Sequence, residues 1–122
     1  MVSLNPNNHS VDVVIPAFNA ERYIESTLES VAIQGSLVCT IIVVNDGSTD
    51  QTAQRVEHFS KCHPHLTIKL ISQVNAGLAN ARNTGIQHAT APYIALLDAD
   101  DIWLKGKLEH QLAIFNANTD PR

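Results

Sequence analysis

The sequence predicts an α/β domain built on an open, parallel sheet. Short apolar runs that read as strands alternate with helix-like amphipathic segments at about 30-residue spacing, the signature of βαβ units. Most of these runs end in a polar cluster: Val13-Val14-Ile15 in Pro16-Ala17-Phe18-Asn19, Ile41-Ile42-Val43-Val44 in Asn45-Asp46-Gly47-Ser48-Thr49-Asp50, and Tyr93-Ile94-Ala95-Leu96-Leu97 in Asp98-Ala99-Asp100-Asp101. Right-handed crossovers bring all those ends to one sheet edge, which is where open α/β sheets bind ligands.

The elements follow in order. The first strand is Val11 to Ile15. The first helix runs from about Ala20 to Gln34, with Tyr23, Ile24, Leu28 and Val31 on one stripe and Gly35 as its stop. After the second strand, a second helix opens at Ser48, where Gln51 completes a capping-box pattern and Ala53, Val56 and Phe59 face inward. The third strand, Thr67 to Ile71, carries Lys69 in its middle and reads as an edge strand. The third helix starts near Asn75, and its small residues Ala76, Gly77, Ala79, Ala81 and Gly85 would let it approach the sheet or a ligand closely. The fourth strand leads to a helix from about Asp101 that buries Leu104, Leu108, Leu112 and Phe115. The expected strand order is 3-2-1-4, reversing between strands one and four. Strand four is too apolar for an exposed edge, so further sheet or a partner, a second copy included, should cover it.

Composition sets the outer limits. With 122 residues and 44% hydrophobic content, the chain can form a single core and not two. Residues 1–10 read as a polar tail, 11–116 as the domain and 117–122 as a second polar tail. No apolar run approaches the roughly 20 residues that span a bilayer, and Asn5-Pro6-Asn7-Asn8-His9 lacks the basic and apolar regions of a signal peptide. A cytoplasmic location is expected, with attachment to the periphery of the inner membrane as a variant of it. A net charge of −4 with scattered Lys and Arg argues against a nucleic-acid partner. Cys39 and Cys62 are expected to be free thiols in a reducing compartment. His58, Cys62, His63 and His65 raise the question of a metal cluster, but no second ligand pair stands at finger-like spacing and the segment lies opposite the acidic loops.

Asp98, Asp100 and Asp101 place three carboxylates within four positions. They repel one another unless a cation or ordered donors hold them, and carboxylate oxygens suit magnesium or manganese. A solvated turn that caps a helix explains the same residues equally well. Recurrence of polar clusters at one edge favours the ligand site.

Four motifs in this order and spacing carry a resemblance: Val14-Ile15-Pro16-Ala17-Phe18-Asn19, Val44 to Asp50, Asn75-Ala76-Gly77 with Ala81-Arg82-Asn83-Thr84-Gly85, and the Asp-x-Asp of Asp98 and Asp100. Together they resemble the nucleotide-binding half of a family 2 glycosyltransferase of GT-A fold, over most of the chain from Val11 onward. The resemblance implies a Rossmann-like sheet, a nucleotide-diphospho-sugar donor (a UDP-sugar by preference), a divalent metal (Mn or Mg), and inverting transfer to the hydroxyl of an unknown acceptor. It implies that Pro16, Ala17, Phe18 and Asn19 form the floor under the base, and that Asp46 accepts the imide N–H of uracil. Gly77 belongs to the same nucleotide site. Arg82 would reach the nucleotide or pair with Asp46. Asp98 would orient ribose or a metal-bound water, Asp100 would be the direct metal ligand, and Asp101 would cap the fourth helix. Ala17 departs from the Thr or Ser common at its position, which removes a hydroxyl contact. The catalytic base of such enzymes lies well downstream of the Asp-x-Asp, so it is unknown here and expected beyond Arg122, and the chain alone is expected to transfer sugar weakly or not at all.

Other classes fit less well. A non-catalytic nucleotide-sugar-binding or assembly module remains an alternative. A signalling receiver needs carboxylates after its first strand and a phosphorylatable Asp after its third, where this chain has Pro16 to Asn19 and Ser72-Gln73. A nucleotidyltransferase would open into a Gly-rich, Arg-bearing loop after Ile15, and a dinucleotide dehydrogenase needs Gly-x-Gly-x-x-Gly; the chain has neither.

Overall fold

The computed structural model describes residues 11–119, with side chains as far as Ala113. Four parallel strands, β1 (Val11–Ala17), β2 (Val38–Asp46), β3 (Ile68–Gln73) and β4 (Tyr93–Leu96), pair in the expected order β3-β2-β1-β4. The crossovers carry α1 (Ile24–Ala32), α2 (Thr52–Cys62) and α3 (Leu78–Gln87), and α4 (Lys107–Thr119) follows β4. The expectation for residues 1–10 and for the Phe115 side chain lies outside the described residues.

Every residue of β1 is buried, because the central strand is covered on both faces. Its side chains alternate between two layers. Val13 and Ile15 join Ile41 and Val43 under Ile24, Leu28 and Val31 of α1 and Val56 and Phe59 of α2. Val14, Ile42 and Val44 face the other way, against Ala81 of α3. A Cβ on Gly85 would stand 2.3 Å from Val14 Cγ1, so α3 reaches this distance from the sheet only with glycine there. Ala81 and Gly85 thus fulfil the small-residue expectation, whereas Ala76, Gly77 and Ala79 are exposed. At the sheet margins, Lys69 of β3 points to solvent, and Ile94 and Leu96 of β4 are 42% and 47% exposed.

Two helix starts differ from expectation. α2 begins at Thr52, and the Ser48/Gln51 box does not form, because the Ser48 hydroxyl accepts the backbone N–H of Asn19. Asp50 does the capping, with Oδ1 accepting the Thr52 N–H at 2.9 Å and the Thr52 hydroxyl. α4 begins at Lys107, not Asp101, because Gly106 has φ +82°, a conformation that breaks a right-handed helix. Leu104 is consequently 79% exposed, and Trp103 fills the core instead.

Cys39 and Cys62 are free thiols. His63 stacks on Phe59, and no group of three His, Cys, Asp or Glu side chains among the described residues is arranged to hold a metal. No helix among the described residues is long and apolar enough to cross a membrane.

Candidate functional site

The loops after β1 and β2 are stitched into one platform. Asn19, at φ 49°, donates its N–H to Ser48 Oγ at 2.9 Å, and its Oδ1 accepts the Thr49 N–H at 2.8 Å. Ala20 donates to Thr52 Oγ1 at 2.8 Å and Glu21 to Asp50 Oδ2 at 3.2 Å, while Gln51 donates back to Glu21 Oε1 at 2.9 Å. Donors at the openings of α1 and α2 thus find acceptors in the neighbouring loop. Burial opposes ionisation of Asp50, but the bonds from Thr52 and the Glu21 N–H outweigh it and hold the carboxyl below its usual range.

The acidic loop after β4 is fixed from beneath. Thr27, fully buried on α1, sets its Oγ1 2.7 Å from the Ala99 carbonyl and 2.8 Å from that of Asp101, so its single proton is shared. The Asp101 N–H closes a turn onto the Asp98 carbonyl at 3.0 Å, so Asp101 belongs to this turn and caps no helix. Gln34 accepts the Leu108 N–H and donates to the Leu104 carbonyl, anchoring the start of α4. Arg82 pairs with Asp98, not with Asp46: Nη2 lies 3.1 Å from Asp98 Oδ1. Asp100 is exposed beside this pair.

A cleft of about 350 Å³ opens between the two loops, lined by Pro16, Phe18, Asn19 and Leu78 on one side and by Asp98 and Asp100 on the other. Phe18 and Leu78, which line the same cleft as the two carboxylates, are 52% and 51% exposed. A second cavity of about 590 Å³ runs along β4, and Arg82 and Asp98 line it. The structure therefore brings Pro16, Phe18, Asn19, Asp98 and Asp100 to one cleft, with Arg82 held through Asp98. Ala17 is buried and does not line the cleft.

Asp46 stands at the end of β2, 3% exposed, and does not line the cleft. Its Oδ1 accepts Gln73 Nε2 at 2.9 Å and the Ala76 N–H at 2.8 Å, and its Oδ2 accepts the Gly77 N–H at 3.0 Å. Burial works against its charge, but these bonds prevail and keep the carboxyl below its usual range. Gly77, at φ 96°, is thereby fixed at the opening of α3, and the next residue, Leu78, enters the cleft.

Three contributors escaped the sequence reading. Thr27 left a faint signal, as a polar residue within the apolar stripe of Ile24, Leu28 and Val31. Gln73 left none, because its partners lie on other elements; Asp50 stood in the second motif without a role, although an Asp two residues before Thr52 is a local helix-cap signal.

The cleft offers two carboxylates, oxygen ligands of the kind that suit a hard divalent cation. Sequence comparison decides the family: the model for glycosyl transferase family 2 matches residues 12–120. The chain belongs to glycosyl transferase family 2. Among relatives of this glycosyltransferase chain, the Escherichia coli UDP-Glc:alpha-D-GlcNAc-diphosphoundecaprenol beta-1,3-glucosyltransferase WfgD is 36% identical over 92% of this chain and 43% of its own length. The Pyrobaculum calidifontis mannosyltransferase PcManGT, solved with GDP-Man and Mn2+, superposes with a TM-score of 0.81 at 29% identity, covering 91% of this chain and 34% of that one. S. aureus TarS 1-349, solved with UDP-GlcNAc, superposes with a TM-score of 0.76 at 31% identity, covering 88% and 31%. With its 3-2-1-4 sheet, this family 2 chain has the Rossmann-like nucleotide-binding half of a GT-A domain. It spans less than half the length of the first curated relatives it matches.

Proposed function

We propose that this chain binds a nucleotide-diphospho-sugar, a UDP-sugar, with Mn2+ or Mg2+ in the cleft between Pro16–Asn19 and Asp98–Asp100, and serves inverting glycosyl transfer to an acceptor hydroxyl. The observation that carries this is the division of labour between two neighbouring carboxylates: Arg82 occupies Asp98, and Asp100 stands exposed in the same cleft. Phe18 and Leu78 offer apolar surface to the nucleoside. Asp98, oriented by Arg82, would accept a ribose hydroxyl, and Asp100 would hold the divalent cation. When bound, that cation would supply Lewis-acid neutralisation of the charge on a departing diphosphate. Complexes of similar proteins support this reading: one holds GDP-Man with Mn2+, another UDP-GlcNAc.

With Asp98 tied to Arg82 and Asp100 given to the metal, no further carboxylate among the described residues lines the cleft to deprotonate an acceptor. Residues 1–122 should therefore bind donor and transfer sugar weakly at most. We place the site on the cytoplasmic side, with a peripheral membrane position if the acceptor is lipid-linked, as the name of the E. coli relative states for that protein. The uncovered β4 edge, where Ile94 and Leu96 are half-exposed, gives a second copy a surface to pair with. Calorimetry with UDP, with and without MnCl2, tests the proposal: Mn2+ should tighten UDP binding at least tenfold in the native chain and not at all in Asp100→Ala. Equal metal dependence in both proteins would refute the metal role.

A further inference from the structure

We infer that His58 and Cys62 form one half of a site for a zinc-type cation, and that the same two residues of a second copy of this chain complete it. Neither residue lines the nucleotide cleft or the cavity along β4. About 15 Å of helix separates Cys62 from Thr52, which bonds to the cleft residue Ala20.

Side chains four residues apart on a helix lie one above the other on the same face. In α2 that face is turned to solvent: Val56 and Phe59 are buried in the core, whereas His58 and Cys62 are both exposed. Cys62 Sγ stands 3.6 Å from His58 Nε2. That separation matches the bite of a single tetrahedral cation. A metal–sulfur bond of about 2.3 Å and a metal–nitrogen bond of about 2.0–2.1 Å, meeting at roughly 109°, hold the two ligand atoms about 3.5–3.6 Å apart. The pair can therefore close on zinc without any change in the helix.

One chain supplies only two of the ligands. His63 is engaged elsewhere, with Nδ1 2.9 Å from the Phe59 carbonyl oxygen, Nε2 3.8 Å from Glu29 and its ring stacked on Phe59. No third His, Cys, Asp or Glu among the described residues joins the pair. Structural zinc sites almost always take four protein ligands, and two chains related by a two-fold axis supply two sulfurs and two nitrogens. On binding, a metal–sulfur bond replaces the S–H bond of each Cys62, the two protons pass to solvent, and each neutral imidazole binds through Nε2. Thiolate and imidazole select zinc and its relatives, whereas magnesium and manganese prefer oxygen ligands. The two ends of α2 thus face different classes of metal.

The test is analytical ultracentrifugation of the full chain in a non-chelating phosphine reductant, with ZnCl2, with MnCl2, and with EDTA added after zinc. Zinc should double the sedimenting mass at one metal per two chains, EDTA should reverse it, and MnCl2 should have no effect. Cobalt in place of zinc should give the thiolate-to-metal charge-transfer band and the intense visible bands of tetrahedral coordination. His58→Ala and Cys62→Ser, both at exposed positions, should each abolish the doubling and the charge-transfer band. An unchanged mass with zinc overturns the inference. So does doubling that survives His58→Ala or resists EDTA, which is the behaviour of a disulfide through Cys62, and so does equal doubling by MnCl2. None of these outcomes depends on whether UDP binds, so the inference and the nucleotide reading fail separately.

Discussion

Thr27, buried inside α1, places its hydroxyl oxygen 2.7 Å from the carbonyl oxygen of Ala99 and so ties the first crossover helix to the loop that bears Asp98 and Asp100. Thr27→Val keeps the shape and removes the donor, leaving the carbonyls of Ala99 and Asp101 without it. The cost should be about 1–3 kcal/mol, read from urea denaturation. Metal-dependent UDP affinity should fall as well, because the loop that presents Asp100 is released.

Gly85 tests how closely α3 must approach the sheet. With its Cβ 2.3 Å from Val14 Cγ1, Gly85→Ala forces the helix outward or Val14 out of place. We expect a loss of about 1–3 kcal/mol, against the small gain that alanine normally brings to a helix interior. A thermal melt that showed stabilisation would contradict the packing described for α3.

Acid should unfold the protein partly through Asp46 and Asp50. Both carboxyls lie below their ordinary value of 3.8 in the folded state. The stability they contribute is therefore fully present above that value and is lost as pH falls from there through the lower folded value. Asp46→Asn and Asp50→Asn should each be less stable at neutral pH and show a shallower loss below about pH 4. Urea midpoints measured across that range check both halves of the statement.

Arg82→Met separates stability from binding. The Arg82–Asp98 pair is partly exposed, with side chains 37% and 45% accessible, and such pairs are worth about 0–1 kcal/mol. The Arg82 Nε is buried without a partner, and methionine removes that unmet donor. Stability should change little, while UDP affinity in the presence of Mn2+ should drop by about tenfold as Asp98 loses its orientation.

The sheet was legible in the sequence because burial leaves its mark on composition. Lys69 in the middle of one strand marks an edge, and the unbroken Val-Ile runs of β1 and β2 mark a centre covered on both faces. The cleft was legible too, since parallel topology alone brings Pro16–Asn19 and Asp98–Asp100 to one edge. What stayed hidden were choices among competing hydrogen-bond partners. Ser48 and Gln51 have the spacing of a cap, yet Ser48 serves Asn19, and Asp50 takes the cap. The resemblance pointed Arg82 to the nucleotide or to Asp46, and it takes Asp98 instead. Asp101 looks like a helix start, but the glycine at 106 decides where a right-handed helix can begin. Gln73 bonds to Asp46 only because the register of two strands sets them side by side, a fact of pairing rather than of spacing.

Chemical-shift mapping on isotope-labelled chain, titrated with UDP in the presence of Mg2+, tests the central claim most directly. The amides of Phe18, Asn19, Gly77, Leu78, Asp98 and Asp100 should shift together in a saturable manner. Shifts confined to the opposite end of the sheet, around Cys39 and His65, or no shifts at all, would contradict it.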